Sequence, residues 1–372
     1  MLKPSLLIAG LLASAAIVTG PAMAQDDAYL EEARKYIETV TAPVTDWTGP
    51  TTGPAAEADK LIIYLSTDQR NGGAQGAGDG AAEAAAALGW DFRILDGQGS
   101  VPARSSAFTQ AIALQPDGII LGGVDALEQK PMVEQAAAAG IKLVGWHAGP
   151  DVGLVDGIPE IFYNVSTDPL EVAKAAGLYA VVDSGGTANV VVFTDSIYAI
   201  AMAKANASKE AIENCPGCKV LSVEDTPIGD LSNRMGQLTT SLLSRYGDEW
   251  TYSIAINDLY FDFSAPSLIS AGIDPTEGHP RQISAGDGSA PAFQRIRDGQ
   301  YQVATVAEPL NLQGWQLIDE INRAFAGEEP SGYVPPVHLF IAENIDQDGG
   351  DEDRFDPGND YKDHYKAIWG VD

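Results

Sequence analysis

Positive charge and cysteine are what this chain has least of, and each shortage closes off a class of function. Lysine and arginine total 22 against 52 aspartates and glutamates, a formal charge of -30. A surface so acidic cannot neutralise phosphates, so nucleic acid is excluded as a partner. Self-repulsion at this charge favours a soluble monomer. The only two cysteines fall in Cys215-Pro216-Gly217-Cys218. Two thiolates alone make a poor zinc site, and the pair predicts a disulfide closing a tight turn if the chain is exported.

Catalytic signatures are missing too. There is no Gly-x-Ser-x-Gly elbow, no His-Glu-x-x-His helix and no free cysteine. The run Gly76-Ala77-Gly78-Asp79-Gly80 lacks the last glycine of a dinucleotide fingerprint, and Asp79 would face a pyrophosphate. Of the four histidines, only His147 sits where a general base would be useful, at a strand end. A lone histidine there more often makes a hydrogen bond or packs, so no enzyme, cofactor or metal is expected.

Long apolar runs are absent except near the start, where Lys3 precedes an apolar core from Leu6 to Val18 and Ala22-Met23-Ala24 follows it. That is the pattern of a cleaved export signal, predicting 1–24 as leader and Gln25 as the mature start. The run is too short to span a bilayer. No cysteine follows it to carry a lipid. Lys3 is the only charged residue removed, so the mature charge is -30 - 1 = -31.

What the chain does have is alternation. Apolar strand cores recur at Leu61–Leu65, Phe92–Leu95, Gly118–Leu121, Leu143–Trp146 and Ile161–Val165, with helical patterns over 80–88, 102–114 and 127–139 between the first four. A second set follows: a helix over 169–182, then strands at Ala188–Phe193, Lys219–Val223, Tyr252–Ile256 and Gln282–Ala285. Strands alternating with helices at this pitch predict α/β architecture, with two Rossmann-like lobes of parallel strands. Gly76, Gly78 and Gly80 read as a polar loop leading into the first helix. Ahead of Leu61, a helix over Asp26–Val40 is expected, followed by an extended Pro/Gly-rich linker through Ala58 that packs on the first lobe.

Ligands of open α/β sheets bind beyond the carboxyl ends of the strands. The residues there are Asp68, Gln69, Arg70, Asn71, Asp125, Trp146, His147, Asp195, Tyr198, Asn257, Asp258, Asp287 and Glu308. Aspartate and asparagine are also good turn and cap residues, so any one of them has a structural reading as well. Near the other end, Asp346-Gln347-Asp348-Gly349-Gly350-Asp351 hints at a calcium loop, but its register is wrong and no glutamate stands at the twelfth position, so it reads as an acidic loop. Tyr361, Tyr365 and Trp369, at four-residue spacing, predict a terminal helix stapled to a lobe.

Four segments carry a family resemblance: Leu61 to Asn71, Pro116-Asp117-Gly118-Ile119-Ile120-Leu121, Ser284-Ala285-Gly286-Asp287-Gly288, and Ala304 to Pro309. In this order they resemble the periplasmic sugar-binding proteins of ATP-binding-cassette importers, the ribose- and galactose-binding group with the type I periplasmic binding fold. The resemblance implies a first lobe of 59–165 plus 309–333, a second of 166–308 plus 334–345 and a three-crossing hinge; beyond it the residues themselves read as an acidic tail over 346–372. It places Asp68 to Asn71, Asp125, His147 and Glu308 on one cleft wall or near the hinge, with Lys204, Asn257 and Asp287 facing them. The chain departs from the group at Asn71-Gly72-Gly73, where aromatic residues are usual, at Lys204, where an arginine is usual, and near His147, where an aspartate is usual.

These readings predict an exported periplasmic subunit that captures a monosaccharide or polyol and delivers it to the membrane permease of an ABC importer. A cationic amine as ligand, or a sensor subunit presenting its ligand to a receptor, are the alternatives.

Overall fold

The computed structural model describes residues 21–371, so most of the expected leader lies outside the described residues. Helix α1 (Pro21–Val40) begins ahead of Gln25. The first sheet is built from β1 (Leu61–Ser66), α2 (Gly72–Ala87), β2 (Asp91–Asp96), α3 (Val101–Ala113), β3 (Gly118–Gly122), α4 (Lys130–Ala138), β4 (Lys142–Trp146) and β5 (Ile161–Val165). Its strands lie in the order β2-β1-β3-β4-β5, all parallel. The central strands are buried on both faces, as their unbroken apolar runs require.

The second sheet follows from α5 (Pro169–Asp183), β6 (Asn189–Thr194), α6 (Ala199–Glu213), β7 (Lys219–Asp225), α7 (Leu231–Tyr246), β8 (Tyr252–Ala255), α8 (Leu259–Ser270), β9 (Arg281–Ser284), α9 (Ala290–Arg297) and β10 (Gln302–Ala307). The chain then returns to the first lobe as α10 (Leu310–Ala326), goes back as β11 (His338–Ile341) and ends in α11 (Tyr361–Trp369). The strand order is β11-β10-β9-β8-β6-β7, with β11 alone antiparallel. Helix α10 packs against α2, β4 and β5 of the first lobe. Two α/β lobes with largely parallel sheets are therefore joined by passes near Val165, Glu308 and Tyr333.

The glycines after β1 do not form a loop. Helix α2 already starts at Gly72, capped by the Asn71 side chain, whose Oδ1 accepts from the backbone N–H groups of Gly73 (2.9 Å) and Ala74 (3.3 Å). The glycines sit where α10 crosses: a Cβ on Gly80 would lie 2.6 Å from the Asn311 carbonyl oxygen, and one on Gly76 2.7 Å from Leu310 Cδ1. Gly314 answers from α10, where a Cβ would meet the Ala81 nitrogen at 2.3 Å. Glycine costs helix stability of about 0.5–1 kcal/mol per site. Here that cost is offset by letting two backbones approach.

The N-terminal segment divides between the lobes, its helix on the second and its linker on the first. Ala33, Ile37 and Val40 of α1 join the core of the second lobe with Val172 and Ala176 of α5, and the Tyr36 hydroxyl donates to Glu171 at 2.9 Å. Helix α5 is buried almost all round, so it needs a cover on the face turned away from its sheet. The following linker crosses to the first lobe: Trp47 packs on Tyr333 and stacks on His364, and Arg323 donates to the Thr52 carbonyl at 2.7 Å.

At the other terminus Tyr361, Tyr365 and Trp369 are buried, and the Trp369 indole donates to Asp319 at 2.9 Å. The acidic loop closes on a guanidinium: Arg297 donates to Asp346 (3.2 Å), Asp353 (2.5 Å) and the Gly350 carbonyl (2.6 Å). The Cys215 and Cys218 sulfurs, just past α6, are paired, with Cα atoms 5.2 Å apart. Among the described residues no helix is long and apolar enough to cross a membrane.

Candidate ligand-binding cleft

The carboxyl ends of the two sheets face each other, and their strand-end loops enclose a cavity lined by Asp68, Asn71, Trp146, His147, Tyr198, Lys204, Asn257 and Asp287. Thr67 and Ile228 complete much of the remaining wall. At the floor four ionisable side chains converge, all at most 8 % exposed. Lys204 Nζ lies 3.8 Å from Asp287 Oδ1 and 3.5 Å from Glu308 Oε1, and His147 Nε2 lies 3.0 Å from the same Glu308 oxygen. Asn257 Nδ2 donates to Asp287 Oδ2 at 2.7 Å.

Each of these groups comes from a different element. His147 follows β4 with a left-handed φ of 51°, stacked face to face on Trp146 at 3.9 Å. Lys204 projects from α6, Asn257 from the turn after β8, Asp287 from the turn after β9, and Glu308 from the crossing after β10. A second tier holds the floor: Gln313 of α10 donates to Glu308 Oε2 at 2.7 Å and accepts from the Trp146 indole at 2.8 Å, while the Thr167 N–H reaches Glu308 at 3.2 Å.

The two carboxyls are shifted in opposite directions. Burial pushes the Asp287 carboxyl up to about 6 despite Lys204 and His147 nearby. Burial acts on Glu308 in the same direction, but His147, Lys204 and the Gln313 hydrogen bond outweigh it and hold the carboxyl well below the ordinary range. Glu308 thus stays ionised well into acid, whereas Asp287 takes up its proton first as the pH falls. His147, Asp287 and Glu308 could together offer three ligand atoms to a metal, since these lie within 4.8 Å of one another. The Lys204 ammonium already stands between the two carboxylates and opposes a second cation there.

Several strand-end residues instead serve the scaffold. Both Asp195 oxygens accept backbone N–H groups, from Ile197 (2.9 Å) and Ile228 (2.8 Å). Asp258 pins the β9 turn through Gly288 (2.8 Å) and Ser289 (3.0 Å), and reaches Gln302 and Thr305. Asp125 caps the turn before α4 and lends its other oxygen to the Ala199 N–H across the cleft at 3.3 Å. Asp68 is locked to Arg70 at 2.7 Å, Arg70 itself is exposed, and Gln69 lies outside the cavity with its N–H on Asp96.

Arg104 was not among the sequence candidates. It lies on α3, away from any strand end, and carries no local signature. Buried to 1 % exposure, it pairs with Glu128 at 2.5 Å and donates to the Tyr198 hydroxyl across the cleft at 3.1 Å; Tyr198 also meets Thr67 at 3.1 Å. With Asp125–Ala199, and Gly229 packed on the Gly99 carbonyl, these contacts shut the front of the cleft. The space left inside is about 60 Å³.

Residues 62–329 match the family described as periplasmic binding protein domain. No curated protein matches the chain. Among solved structures, an ABC transporter solute-binding protein from Agrobacterium vitis with bound allitol is similar over 77 % of this chain and 97 % of its own, at 21 % identity and a TM-score of 0.65. A sugar ABC transporter protein from Yersinia enterocolitica aligns over 86 % of this chain and 99 % of its own, at 16 % identity and TM-score 0.69. The periplasmic component of the arabinose ABC transporter from Shewanella sp. ANA-3, bound to α- and β-L-arabinofuranose, aligns over 83 % and 95 %, at 18 % identity and TM-score 0.65.

Proposed function

The chain belongs to the periplasmic binding protein domain family, and from that membership and the chemistry of its cleft we propose that it captures a neutral polyhydroxylated ligand, a sugar or polyol, for an ABC importer. The observation that carries this reading is the cleft floor, where Lys204 stands between Asp287 and Glu308 with Asn257 alongside. Planar carboxylate and amide groups beside an ammonium suit hydroxyls, which can donate to the first and accept from the second. A cationic amine would meet Lys204 in the place it needs, and an anionic ligand would face two carboxylates. Trp146, with His147 stacked on it, offers a flat face to a ring.

The solved relatives bound to allitol and arabinofuranose point to the same chemistry. Export through a leader cleaved after Ala24, a periplasmic site of action, a Cys215–Cys218 disulfide, a monomeric state and a membrane permease as partner belong to this proposal. Two lobes hinged at 165–166, 308–309 and 333–335 part to admit a ring, since Arg104 and Thr67 on Tyr198 and Asp125 on the Ala199 N–H bridge the cleft mouth. Only a ligand touching both walls then restores the closed state.

The experiment is a thermal-shift screen of pentoses, hexoses, polyols and small amines, followed by calorimetry and small-angle scattering on the best hit. The reading expects a sugar or polyol to raise the melting temperature and to reduce the radius of gyration. A shift from amines alone would overturn it.

A further inference from the structure

Behind the cleft floor lies space that a single ring does not explain. Asn257 and Asp287 line the closed cavity on one side, and on the other they line a chamber of about 420 Å³. The partition is the contact between Gly73 and the Asp287 carboxylate, so close that a Cβ on Gly73 would lie 2.1 Å from Asp287 Oδ2. Gly72, Gly73 and Gly76, with no side chains, leave the chamber unobstructed beside α2. It continues along α2 into a further space of about 460 Å³ that shares Gly76, Asp79, Leu310 and Arg354 with it.

The far wall is not part of the matched domain. Glu352, Asp353 and Arg354 supply it, beyond the limit of the family match at residue 329. The C-terminal addition thus walls the side of the cleft into a groove open to solvent along one edge. Its lining combines an apolar surface, Leu259, Pro291 and Leu310, with polar groups at the edge. Asp79 lines both spaces and has no ion-pair partner among the described residues, whereas Arg70 is taken by Asp68 and Arg354 by Glu352 and Asp356. With its cations neutralised and a carboxylate free, the chamber disfavours acidic or phosphorylated groups.

We infer that this chamber is a second subsite and that the ligand is a neutral saccharide of two or more rings, one ring on the Lys204–Asp287 floor and the next beyond Gly73. The inference rests on the solute-binding reading above and names its substrate class. Parting of the lobes withdraws Asp287 from Gly73 and joins the two spaces, and the inter-ring linkage then lies over the glycines where no side chain intervenes.

Calorimetry of the purified mature chain with D-galactose, D-xylose and D-glucose against lactose, xylobiose and cellobiose tests it. At least one disaccharide should bind about tenfold or more tighter than its component monosaccharides. Asp79→Ala and Arg354→Ala should each weaken that disaccharide by about two- to tenfold, one hydrogen bond's worth, and leave the monosaccharides unchanged. Gln75→Trp, which fills the chamber from its exposed edge, should do the same more strongly. Tight monosaccharide binding with no disaccharide binding overturns the second subsite and leaves the solute-binding reading standing. A disaccharide insensitive to all three variants also overturns it, as do variants that weaken both ligand sizes equally. Binding of neither set, with a melting-temperature shift from amines alone in the wider screen, overturns both readings.

Discussion

Replacing Asp287 by asparagine should make the protein more stable at neutral pH while weakening its ligand. The Asp287 carboxyl is wholly buried and its folded pKa is raised from 3.8 to about 6. A raised carboxyl pKa means the folded state holds the proton more tightly than the unfolded state. At pH 7 the charged form therefore opposes folding, and this opposition vanishes as pH falls below the unfolded value. The magnitude is (6 - 3.8) pH units at about 1.36 kcal/mol each, or about 3 kcal/mol at most. Asparagine keeps an acceptor for Asn257 and removes the charge, and Lys204 retains Glu308 at 3.5 Å, so a gain of about 1–3 kcal/mol is expected at pH 7. Urea unfolding of wild type and Asp287→Asn at pH 4, 5, 6 and 7 reads the difference, which should close between pH 6 and pH 4. Affinity for the ligand should fall in the same variant, because a charge-assisted acceptor is lost. A variant less stable than wild type at pH 7, or a difference that does not change with pH, would refute the reasoning.

Glu308 should behave in the opposite way: Glu308→Ala leaves His147 and Lys204 buried with less counter-charge, a loss of about 3–5 kcal/mol in urea unfolding. Its depressed pKa means that this contribution is present at neutral pH and fades as the solution is acidified through the carboxylate range. Gly80→Val, which forces a side chain into the Asn311 backbone, should cost about 1–3 kcal/mol or more and leave ligand stoichiometry unchanged. Arg104→Ala removes the donor to Tyr198 across the cleft, so scattering from the ligand-free protein should show a larger radius of gyration; an unchanged radius would show that this contact does not hold the lobes together. Mass analysis of protein taken from the periplasm should find no free thiol, and Cys215→Ser should lower stability by less than about 3 kcal/mol because the closed loop is so short.

The fold was legible because its signal is periodic and local. The apolar runs at Leu61–Leu65 and Gly118–Leu121 could only be strands covered on both faces, and the helical stripes between them forced parallel pairing. What misled is also specific. Three glycines in five residues read as a loop, because their cause is α10, more than 200 residues later, whose approach leaves no room for a Cβ. Helix α1 gave no sign of its lobe, because the surface it covers is that of α5, more than a hundred residues later in the second.

The cleft was half legible for a related reason. An aspartate or asparagine at a strand end has two uses, and the flanking residues look the same in both. In the first its oxygens accept backbone N–H groups two or three residues on, as Asn71 and Asp195 do. In the second they stay free of the local backbone and meet side chains from other elements, as Asp287 does with Asn257 and Lys204, and as Glu308 does with His147 and Gln313. The first use is complete in any conformation of the lobes. The second recruits other elements, His147 and Gln313 of the first lobe for Glu308 and Asn257 and Lys204 within the second lobe for Asp287, so these carboxylates are held by side chains rather than by the local backbone. Lys204 makes the same point from the opposite charge. Its helical neighbours Ala203 and Ala205 do not mark it and only the family resemblance pointed to it; the convergence of α6 with the turn after β9 is what sets this lysine's ammonium between two buried acids.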